Sequence, residues 1–171
     1  APDGGVTTFE YDLMGNLLRE TNALGHSRVF SYDAYNRLVA ETDWAGNETR
    51  HEYDLLGRLV RDTDPLGHAT VYTYDAVGNL VSRQDKNGHV TTYSYDPNGN
   101  RLTETDPLGH VTTYVYNALN RVVEVINPAS CCDSSHRYTE YDAAGRVVRE
   151  TDALGNVTTL EYDRAGRLTS R

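Results

Sequence analysis

Apolar and polar residues alternate along the chain in runs of five to seven residues, separated by Asp, Gly or Pro about every ten residues. In the run 89–95, HVTTYSY, the alternation puts Thr91, Tyr93 and Tyr95 on one face and the residues between them on the other. The runs are rich in β-branched and aromatic residues, which favour strands. Because a helix of ordinary length does not fit between the interruptions, we predict an all-β protein.

The runs belong to a sequence repeat with a fixed period. The stretch 53–73, YDLLGRLVRDTDPLGHATVYT, is followed by Tyr74, where the pattern begins again. Every step is 21 residues long except the last but one, which is 25 residues long. Such a period is typical of a repeat architecture, and we predict one array over residues 1–171 with a loop insertion at about 127–137. The repeats begin at Tyr11, Tyr32, Tyr53, Tyr74, Tyr95, Tyr116, Tyr141 and Tyr162.

A typical repeat contains two Asp-x-x-Gly segments about ten residues apart, as at 54–57 and 64–67. Asp at the first position accepts hydrogen bonds from the turn backbone, and Gly at the fourth tolerates positive φ. Both segments therefore predict a type I turn with a G1 bulge. In the first turn only Gly or Asn fills the fourth position, as positive φ requires. Besides the repeat-start tyrosines, we assign this structural role to Asp12, Gly15, Asp33, Asp54, Gly57, Asp64, Gly67, Asp75, Gly78, Asp96, Gly99, Asp106, Gly109, Asp142, Gly145, Asp163 and Gly166.

Hairpins joined by further hairpin turns predict an antiparallel β-hairpin ribbon, and strand twist makes a long ribbon coil into a β-spiral. We expect one well-packed face and one partly wet face, because the apolar content is too low to cover both. Tyrosine pairs such as Tyr93 with Tyr95 would form aromatic rows along the ribbon. A bulged turn also places Asp54 opposite Arg58 as a cross-strand ion pair. The equivalent pairs are Asp33/Arg37, Asp142/Arg146 and Asp163/Arg167.

Composition and charge narrow the range of functions. Hydrophobic residues make up 38% of the chain, and the 13 tyrosines far outnumber Phe, Met and Trp, which suits a sheet that is wet on one side. The net charge is −9 and there is no basic stripe, so we predict neither nucleic-acid binding nor attraction to anionic membranes. No apolar run approaches the roughly 18 residues of a membrane helix. The first residues carry no signal-peptide pattern.

The turn segments and a column of histidines are the first candidates for metal chemistry. The Asp-x-x-Gly segments lack the dense acidic spacing of an EF-hand loop, so turn capping is favoured over calcium binding. Four repeats carry histidine just after the second turn, and a ladder of these side chains could bind a metal. Asn also occurs there, which favours a general polar role, and we predict no metal and no cofactor. The histidines are His26, His68, His89 and His110, and the asparagines are Asn47 and Asn156.

Cys131 and Cys132 are adjacent in the predicted insertion. The ring that adjacent cysteines close is strained, which disfavours a disulfide between them. A zinc site would need two more ligands, and His136 is the one candidate nearby. A nucleophilic cysteine with His136 as its base would lack an orienting third group. We therefore favour a variable loop with two free thiols over an intermolecular disulfide, and we predict no enzyme activity.

The tyrosine rows are the candidate binding surface. They could stack on sugar rings, although tyrosine in a repeating sheet more often packs against cross-strand neighbours. Trp44 lies in a second turn, where one exposed Trp could mark a contact. The segments that begin at Asn47 and Asn156 fit the glycosylation pattern, which matters only in a eukaryotic secreted protein.

The pattern YDxxGRLxxxTDxxGxxTxY, kept in phase from about Val6 to Arg171, resembles the YD-repeat or Rhs-repeat family. That family includes bacterial Rhs and polymorphic toxins, the C components of insecticidal toxin complexes, wall-associated proteins and teneurins. The resemblance implies a β-sheet ribbon that spirals into a hollow shell, which in toxins encloses a toxic C-terminal domain. Known shells use more repeats, and the family's C-terminal core segment has no counterpart here. The chain therefore resembles an excised segment of shell wall.

The resemblance implies a non-catalytic structural segment of a shell that encapsulates or displays a C-terminal toxin domain in the full-length protein. The alternative is a cell-surface adhesion or carbohydrate-binding scaffold that uses the tyrosine rows or rim loops. Expected partners are neighbouring repeats and the core or toxin domain of the parent protein. Exposed sheet edges also predict self-association into a homo-oligomer. The expected location is secreted or at the cell surface, in bacteria.

Overall fold

The structure, a computed structural model, describes residues 5–128 and 135–171, which form strands and turns without any helix. These residues accordingly contain no helix of the length and apolar character that crossing a membrane requires. The strands are β1 (Thr8–Tyr11), β2 (Leu17–Thr21), β3 (Ser27–Tyr32), β4 (Leu38–Thr42), β5 (Glu48–Tyr53), β6 (Leu59–Thr63), β7 (Ala69–Tyr74), β8 (Leu80–Gln84), β9 (Val90–Tyr95), β10 (Arg101–Thr105), β11 (Val111–Tyr116), β12 (Val122–Asn127), β13 (Ser135–Tyr141), β14 (Val147–Thr151), β15 (Val157–Thr159), β16 (Glu161–Tyr162) and β17 (Leu168–Ser170).

The chain folds as two compact units, which are Ala1–Thr73 with Arg83–His89 and Tyr74–Ser82 with Val90–Arg171. In the first unit, strands β1 to β7 pair in chain order, each antiparallel to the next. In the second unit, β9 to β15 pair in the same way, and β16 pairs with β17. Strand β8 is divided between the units. The predicted hairpins are present in both units, whereas the single array over residues 1–171 stays a prediction.

Both kinds of turn have the predicted geometry, as turn 54–57 illustrates. The N–H of Gly57 donates to the carbonyl of Asp54 at 3.0 Å, and the N–H of Asp54 donates to the carbonyl of Arg58 at 3.0 Å. The strand register shifts by a bulge beside this turn. Gly57 has a φ of 82°, and Asn36 has a φ of 64° at the same position of its own turn. These features confirm the type I turn with a G1 bulge.

The sheet buries no hydrophobic side chain among the described residues, and Thr70, at 5% exposure, is the one buried polar residue there. The two faces of β9 divide as predicted, because Thr91, Tyr93 and Tyr95 are half-buried and the residues between them are exposed. The prediction of one well-packed face is nevertheless wrong. The described residues supply a layer of sheet in each unit and no helix to lie across it, so half-burial comes from neighbours within the sheet.

The strands beside the predicted insertion are longer than expected. β12 and β13 pair as far as Asn127 and Ser135. The prediction of a loop over about 127–137 is therefore wrong at its two ends, because the β-branched run of β12 continues the ladder. Residues 129–134, which include both cysteines, lie outside the part of the chain that the structure describes.

Candidate functional site

The turn aspartates collect hydrogen bonds from their own turn and from the strand that follows. Oδ1 of Asp54 accepts the backbone N–H of Leu56 and that of Arg58, both at 2.9 Å. Oδ2 of Asp54 accepts the Nε–H of Arg58 at 2.7 Å, which confirms the predicted ion pair. One carboxylate thus ties together the third and fifth residues of the turn. The same ion pair joins Asp33 to Arg37, Asp142 to Arg146 and Asp163 to Arg167.

The fifth residue of every turn is Asn, Arg or His, each of which can bring an N–H to the second carboxylate oxygen. Nδ2 of Asn47 donates to Oδ2 of Asp43 at 2.8 Å, and Nδ1 of His110 lies 2.8 Å from Oδ2 of Asp106. At the first turns the pair of Asp with Arg is the predicted one, whereas at the second turns the sequence predicts only a general polar position and does not reveal the bond to the carboxylate. The fifth residues are Asn16, His26, Arg37, Asn47, Arg58, His68, Asn79, His89, Asn100, His110, Arg121, Arg146, Asn156 and Arg167.

These hydrogen bonds hold the turn carboxyls in their charged form. The side-chain hydrogen bond from Arg37 lowers the pKa of Asp33 below its ordinary value of 3.8. For Asp54 the backbone N–H of Arg58 is the main cause of a lowered pKa, and the Arg58 side chain adds to it. The pKa is also lowered at Asp12, Asp43, Asp64, Asp75, Asp85, Asp96, Asp106, Asp142, Asp152 and Asp163.

One first turn has Asn in place of the aspartate and shows what the carboxylate contributes elsewhere. Oδ1 of Asn117 accepts the backbone N–H of Arg121 at 3.1 Å, as an aspartate would. The amide nitrogen of Asn117 cannot accept a hydrogen bond. Nε of Arg121 is buried and has no hydrogen-bond partner within the described residues. Asn therefore preserves the turn but leaves the fifth residue without its side-chain acceptor.

The repeat-start tyrosines tie each hairpin to the strand before it. The hydroxyl of Tyr53 donates to the carbonyl of Leu38, the first residue of β4, at 3.0 Å. Partial burial raises the pKa of Tyr95 and of Tyr116 above 10.0, so these hydroxyls stay protonated and can donate. The equivalent bonds run from Tyr32 to Leu17, Tyr95 to Leu80, Tyr116 to Arg101, Tyr141 to Val122 and Tyr162 to Val147. Tyr11 and Tyr74 end β1 and β7 at the same repeat position.

Arginine side chains lie over the rings of the aromatic rows. The guanidinium of Arg37 lies 4.7 Å from the ring centre of Tyr53, and its NH1 donates to the carbonyl of Asp54 at 3.1 Å. An arginine that caps one turn therefore also holds the tyrosine and the turn of the next repeat. The predicted rows are thus mixed rows of tyrosine and arginine, held by cation–π contacts. Arg121 covers Tyr141 and Arg146 covers Tyr162 in the same way, at 4.5 and 4.7 Å.

Two tyrosines of the predicted rows, Tyr93 and Tyr114, are covered by the same arginine. Arg101 lies 5.7 Å from the ring centre of Tyr93 and 4.6 Å from that of Tyr114. Its NH2 also donates to the hydroxyl of Tyr114 at 3.0 Å. Arg28 covers Trp44 at 5.3 Å. Because the guanidinium groups lie over the rings, the geometry favours packing over sugar stacking for these aromatic side chains.

Three of the four histidines in the column, His68, His89 and His110, lie beside the carboxylate of their own turn, whereas the turn of His26 begins with Asn22. Nδ1 of His89 lies 3.2 Å from Oδ2 of Asp85, and Nδ1 of His68 lies 3.6 Å from Oδ2 of Asp64. Across residues 5–128 and 135–171, no three His, Cys, Asp or Glu side chains come together as a metal site. Cys131 and Cys132 lie outside the described residues, so the predictions made for them stay predictions.

His136, the candidate base, belongs to a cross-strand polar pair. Its Nδ1 lies 2.5 Å from Oε1 of Glu124, and its ring stacks on Tyr138 with ring centres 5.9 Å apart. A groove of about 720 Å³ lies beside this pair and is lined by residues that include Arg121 and Tyr141. The imidazole is therefore held between two strands by contacts that are typical of sheet packing.

Comparison with known proteins places the hairpin array among repeat proteins. The RHS Repeat family model matches residues 15–49, 53–90, 74–111, 95–130 and 141–171. No curated protein matches the chain in sequence.

Solved toxin-complex structures contain a segment with the same fold. The crystal structure of TcdB2-TccC3-Cdc42 superposes with a TM-score of 0.73 at 20% identity, and that of TcdB2-TccC3 without its hypervariable C-terminal region with 0.73 at 21%. The Tc holotoxin pore of Photorhabdus luminescens gives 0.72 at 21%. Each match covers 96% of this chain, which spans about 11% of the length of the matched chain. The similarity confirms the predicted fold class, a β-hairpin ribbon of the β-spiral type.

Acid should destabilise the protein in a defined pH window. The turn aspartates have folded-state pKa values below 3.8, so near that pH the unfolded chain binds more protons than the folded chain. The stability that these aspartates contribute is therefore fully present at pH values above their ordinary pKa of 3.8. It is lost as the pH falls through their folded-state pKa values. Urea unfolding followed by circular dichroism from pH 7 to pH 2 measures this dependence. Stability that stayed level or rose between pH 4 and pH 2 would contradict the assignment.

Asn117→Asp should stabilise the protein at neutral pH. The new carboxylate gives Nε of Arg121 the acceptor that it lacks, which we expect to raise the free energy of unfolding by about 1 kcal/mol. The matched control is Asn22→Asp, where the fifth residue is His26, whose side chain is not among the buried groups without a hydrogen-bond partner in the described residues. Urea unfolding at pH 7 compares the two variants. A gain at Asn117→Asp no larger than that of the control would show that the arginine is not the cause.

Proposed function

We propose that this chain, which belongs to the RHS repeat family, is a non-catalytic wall segment of a larger repeat shell. The resemblance to the YD-repeat or Rhs-repeat family is confirmed by the matches along the sequence, and the fold is that of toxin-complex segments. The RHS repeat is a structural family, and this chain corresponds to a small part of each matched toxin chain. Its proposed role is therefore to join neighbouring repeats into a continuous wall.

The observation that carries the proposal is that the side chains defining the repeat bond to the repeat itself. The carboxylate of Asp54 accepts hydrogen bonds from the backbone and the side chain of Arg58. The hydroxyl of Tyr53 donates a hydrogen bond to a backbone carbonyl. The charged Arg37 joins one turn to the next. Groups used in this way hold a sheet together and are not positioned to act on a substrate. These hydrogen bonds within and between repeats support a structural role for the chain.

In the full-length protein, we propose, the wall encapsulates or displays a C-terminal toxin domain. Support comes from the toxin complexes with the same fold, one of which was solved without a hypervariable C-terminal region and another as a holotoxin pore. The partners of the segment are then neighbouring repeats and the core or toxin domain of the same protein. The location that fits this role is secreted or at the cell surface, in bacteria.

The alternative of an adhesion or carbohydrate-binding scaffold has less support from the geometry. Two members of the tyrosine rows that would have to stack on the sugar, Tyr93 and Tyr114, both lie under the guanidinium of Arg101. A sugar ring would have to displace this cation and break its hydrogen bond to the Tyr114 hydroxyl. The wall function needs no such rearrangement, and we prefer it for this reason.

Protease protection tests the wall function in the full-length protein that carries this segment. Deletion of residues 53–94 removes two whole repeats and keeps the register of the rest, because Tyr95 then takes the place of Tyr53. We expect the C-terminal domain to become accessible to protease, since the wall loses two hairpins. The matched control is Thr92→Ala, which changes one exposed strand residue and should leave protection intact.

The outcomes separate the wall from the alternative. A C-terminal domain that is digested only after the deletion supports the wall function. Equal protection with and without residues 53–94 would overturn it. Glycan binding by the intact chain that vanished in Tyr93→Ala and Tyr114→Ala would establish the adhesion scaffold instead.

A further inference from the structure

An arginine at the fifth position of a first turn reaches the next first turn along the chain. NH1 of Arg37 donates to the carbonyl of Asp54 at 3.1 Å, and the guanidinium lies 4.7 Å from the ring centre of Tyr53. The same NH1 atom lies 3.5 Å from the position that a Cβ on Gly57 would take. A guanidinium group thus has a defined place in this fold, between a tyrosine ring, a turn carbonyl and a turn glycine.

The same place is occupied at two further turns, both in the second unit. There the guanidinium groups lie 4.5 and 4.7 Å from the ring centre, and their NH1 atoms lie 3.3 and 3.7 Å from the Cβ position of the glycine. Because glycine has no side chain, the turn leaves room for NH1. The two sets are Arg121 with Tyr141 and Gly145, and Arg146 with Tyr162 and Gly166.

The two residues that meet between neighbouring first turns are matched in the sequence. Where the fifth residue of one turn is arginine, the fourth residue of the next is glycine, as in Arg37/Gly57, Arg58/Gly78, Arg121/Gly145 and Arg146/Gly166. Where the fifth residue is asparagine, two of the three next turns have asparagine instead. The side chains of these pairs bond directly, Asn16 to Asn36 at 2.7 Å and Asn100 to Asn120 at 2.8 Å.

Asn79 and Gly99 follow neither pattern. The side chain of Asn79 is shorter than arginine, and its Nδ2 donates to Oδ2 of Asp75 at 2.9 Å. Gly99 has no side chain to meet it, and Oδ1 of Asn79 lies 3.7 Å from the position of a Cβ on Gly99. Within residues 5–128 and 135–171, no guanidinium group lies over the ring of Tyr95. The place that an arginine occupies at other repeats is therefore open at this one.

A groove of about 700 Å³ lies at this position, and its lining includes Asn79, Tyr95, Asp96 and Gly99. The carbonyl of Asp96 accepts the N–H of Gly99 at 3.0 Å, as in the turns that hold an arginine. A carbonyl oxygen has two lone pairs, so that of Asp96 can accept a second hydrogen bond. The groove therefore offers a tyrosine ring, a turn carbonyl and the amide oxygen of Asn79.

The charge of the groove suits a cation. Asp75 and Asp96 both line it, and the donors that their own fifth residues supply are the neutral amides of Asn79 and Asn100. These side-chain hydrogen bonds lower the pKa of both carboxyls below 3.8, so both are negatively charged at neutral pH. At the turns with arginine, the bound guanidinium brings a positive charge to the same place.

Arg101 acts on the hydroxyl of Tyr95 through its charge, but it does not fill the groove. Its NH1 pairs with Glu104 at 2.9 Å, and its guanidinium lies 4.6 Å from the ring centre of Tyr114. Arg101 is also not one of the residues that line the groove. The negative groove therefore stays accessible to a cation from outside.

We propose that this groove binds the guanidinium group of an arginine side chain from a partner polypeptide. The cation stacks on the ring of Tyr95 and donates to the carbonyl of Asp96, as Arg37 does at the equivalent tyrosine and turn. A guanidinium suits the site better than an ammonium group, because it is planar and stacks while its N–H groups reach acceptors. The inference goes beyond the wall function and does not depend on it.

A titration of the protein with capped arginine, N-acetyl-arginine N-methylamide, tests the proposal by NMR at pH 7 in low-salt buffer. We expect saturable shifts of the amide signals of Tyr95, Asp96 and Gly99, with a Kd on the order of 1 mM. The capped citrulline analogue has nearly the same shape without the charge, and it should bind weaker by about tenfold or more. The capped lysine analogue should also bind more weakly, because ammonium does not stack in the same way.

Two variants close the groove by the two means that the chain uses at its other repeats. Asn79→Arg supplies an internal guanidinium, and Gly99→Asn supplies the amide partner that Asn36 provides to Asn16. Asparagine tolerates this backbone, since Asn36 has a φ of 64°. Both variants should weaken binding of capped arginine by about tenfold or more. The matched control is Gly109→Asn, the same change at a φ of 85° in a second turn of the same unit, which should leave the Kd unchanged.

Circular dichroism and the melting temperature verify that the three variants are folded. Shifts that do not saturate by about 20 mM capped arginine overturn the proposal. So does equal binding of the citrulline or lysine analogue, or an unchanged Kd in folded Asn79→Arg. Loss of binding in folded Gly109→Asn would place the site elsewhere. Tighter binding of free arginine than of capped arginine would overturn the assignment to a polypeptide.

Discussion

A carboxylate at the start of a turn is the interaction from which the rest of this structure follows. It accepts two backbone N–H groups and one side-chain donor, so it fixes the path of the chain through the turn and into the next strand. The bulge that results sets the strand register, and register decides which residues share a face. Only in that register does the hydroxyl of Tyr53 reach the carbonyl of Leu38. The turn carboxylate therefore determines the position of the tyrosine side chains as well as the shape of the turn.

The fold is held by repeated polar cross-links where a globular domain would use a hydrophobic core. No hydrophobic side chain among the described residues is buried, yet the carboxylates, arginines and tyrosine hydroxyls form a continuous pattern of short contacts within each unit. Such contacts are local, so each hairpin depends mainly on its neighbours, as in other repeat proteins. A wall segment needs this property, because it can be lengthened repeat by repeat without a new core.

Much of the fold could be predicted from the sequence, because internal repeats show which positions the unit requires. The Gly and Asn column predicted positive φ, and the structure has φ 82° at Gly57 and 64° at Asn36. The ion pair of Asp54 with Arg58 followed from the same bulged turn. The extent of burial could not be predicted, since alternation along a strand shows which face is apolar and not whether anything covers it.

The contacts between repeats were the part that the sequence did not reveal. The bond from Arg37 to the next turn and its position over Tyr53 depend on the spacing and twist of strands, which a linear pattern does not contain. The fifth turn position was available as a signal, because only Asn, Arg and His occupy it. For the second turns the sequence indicates only a general polar position, because the acceptor, Oδ2 of the turn aspartate, is identified only by the folded geometry.

The heat capacity change of unfolding tests most directly whether polar cross-links replace a core. Calorimetry on a sample verified as monomeric by light scattering would measure it, because this quantity reports the apolar surface that unfolding exposes. Globular proteins give about 12–15 cal/mol/K per residue, and the absence of buried hydrophobic side chains among the described residues predicts a value below about 10. A value within or above the globular range would contradict the account and show that burial of apolar surface stabilises the fold.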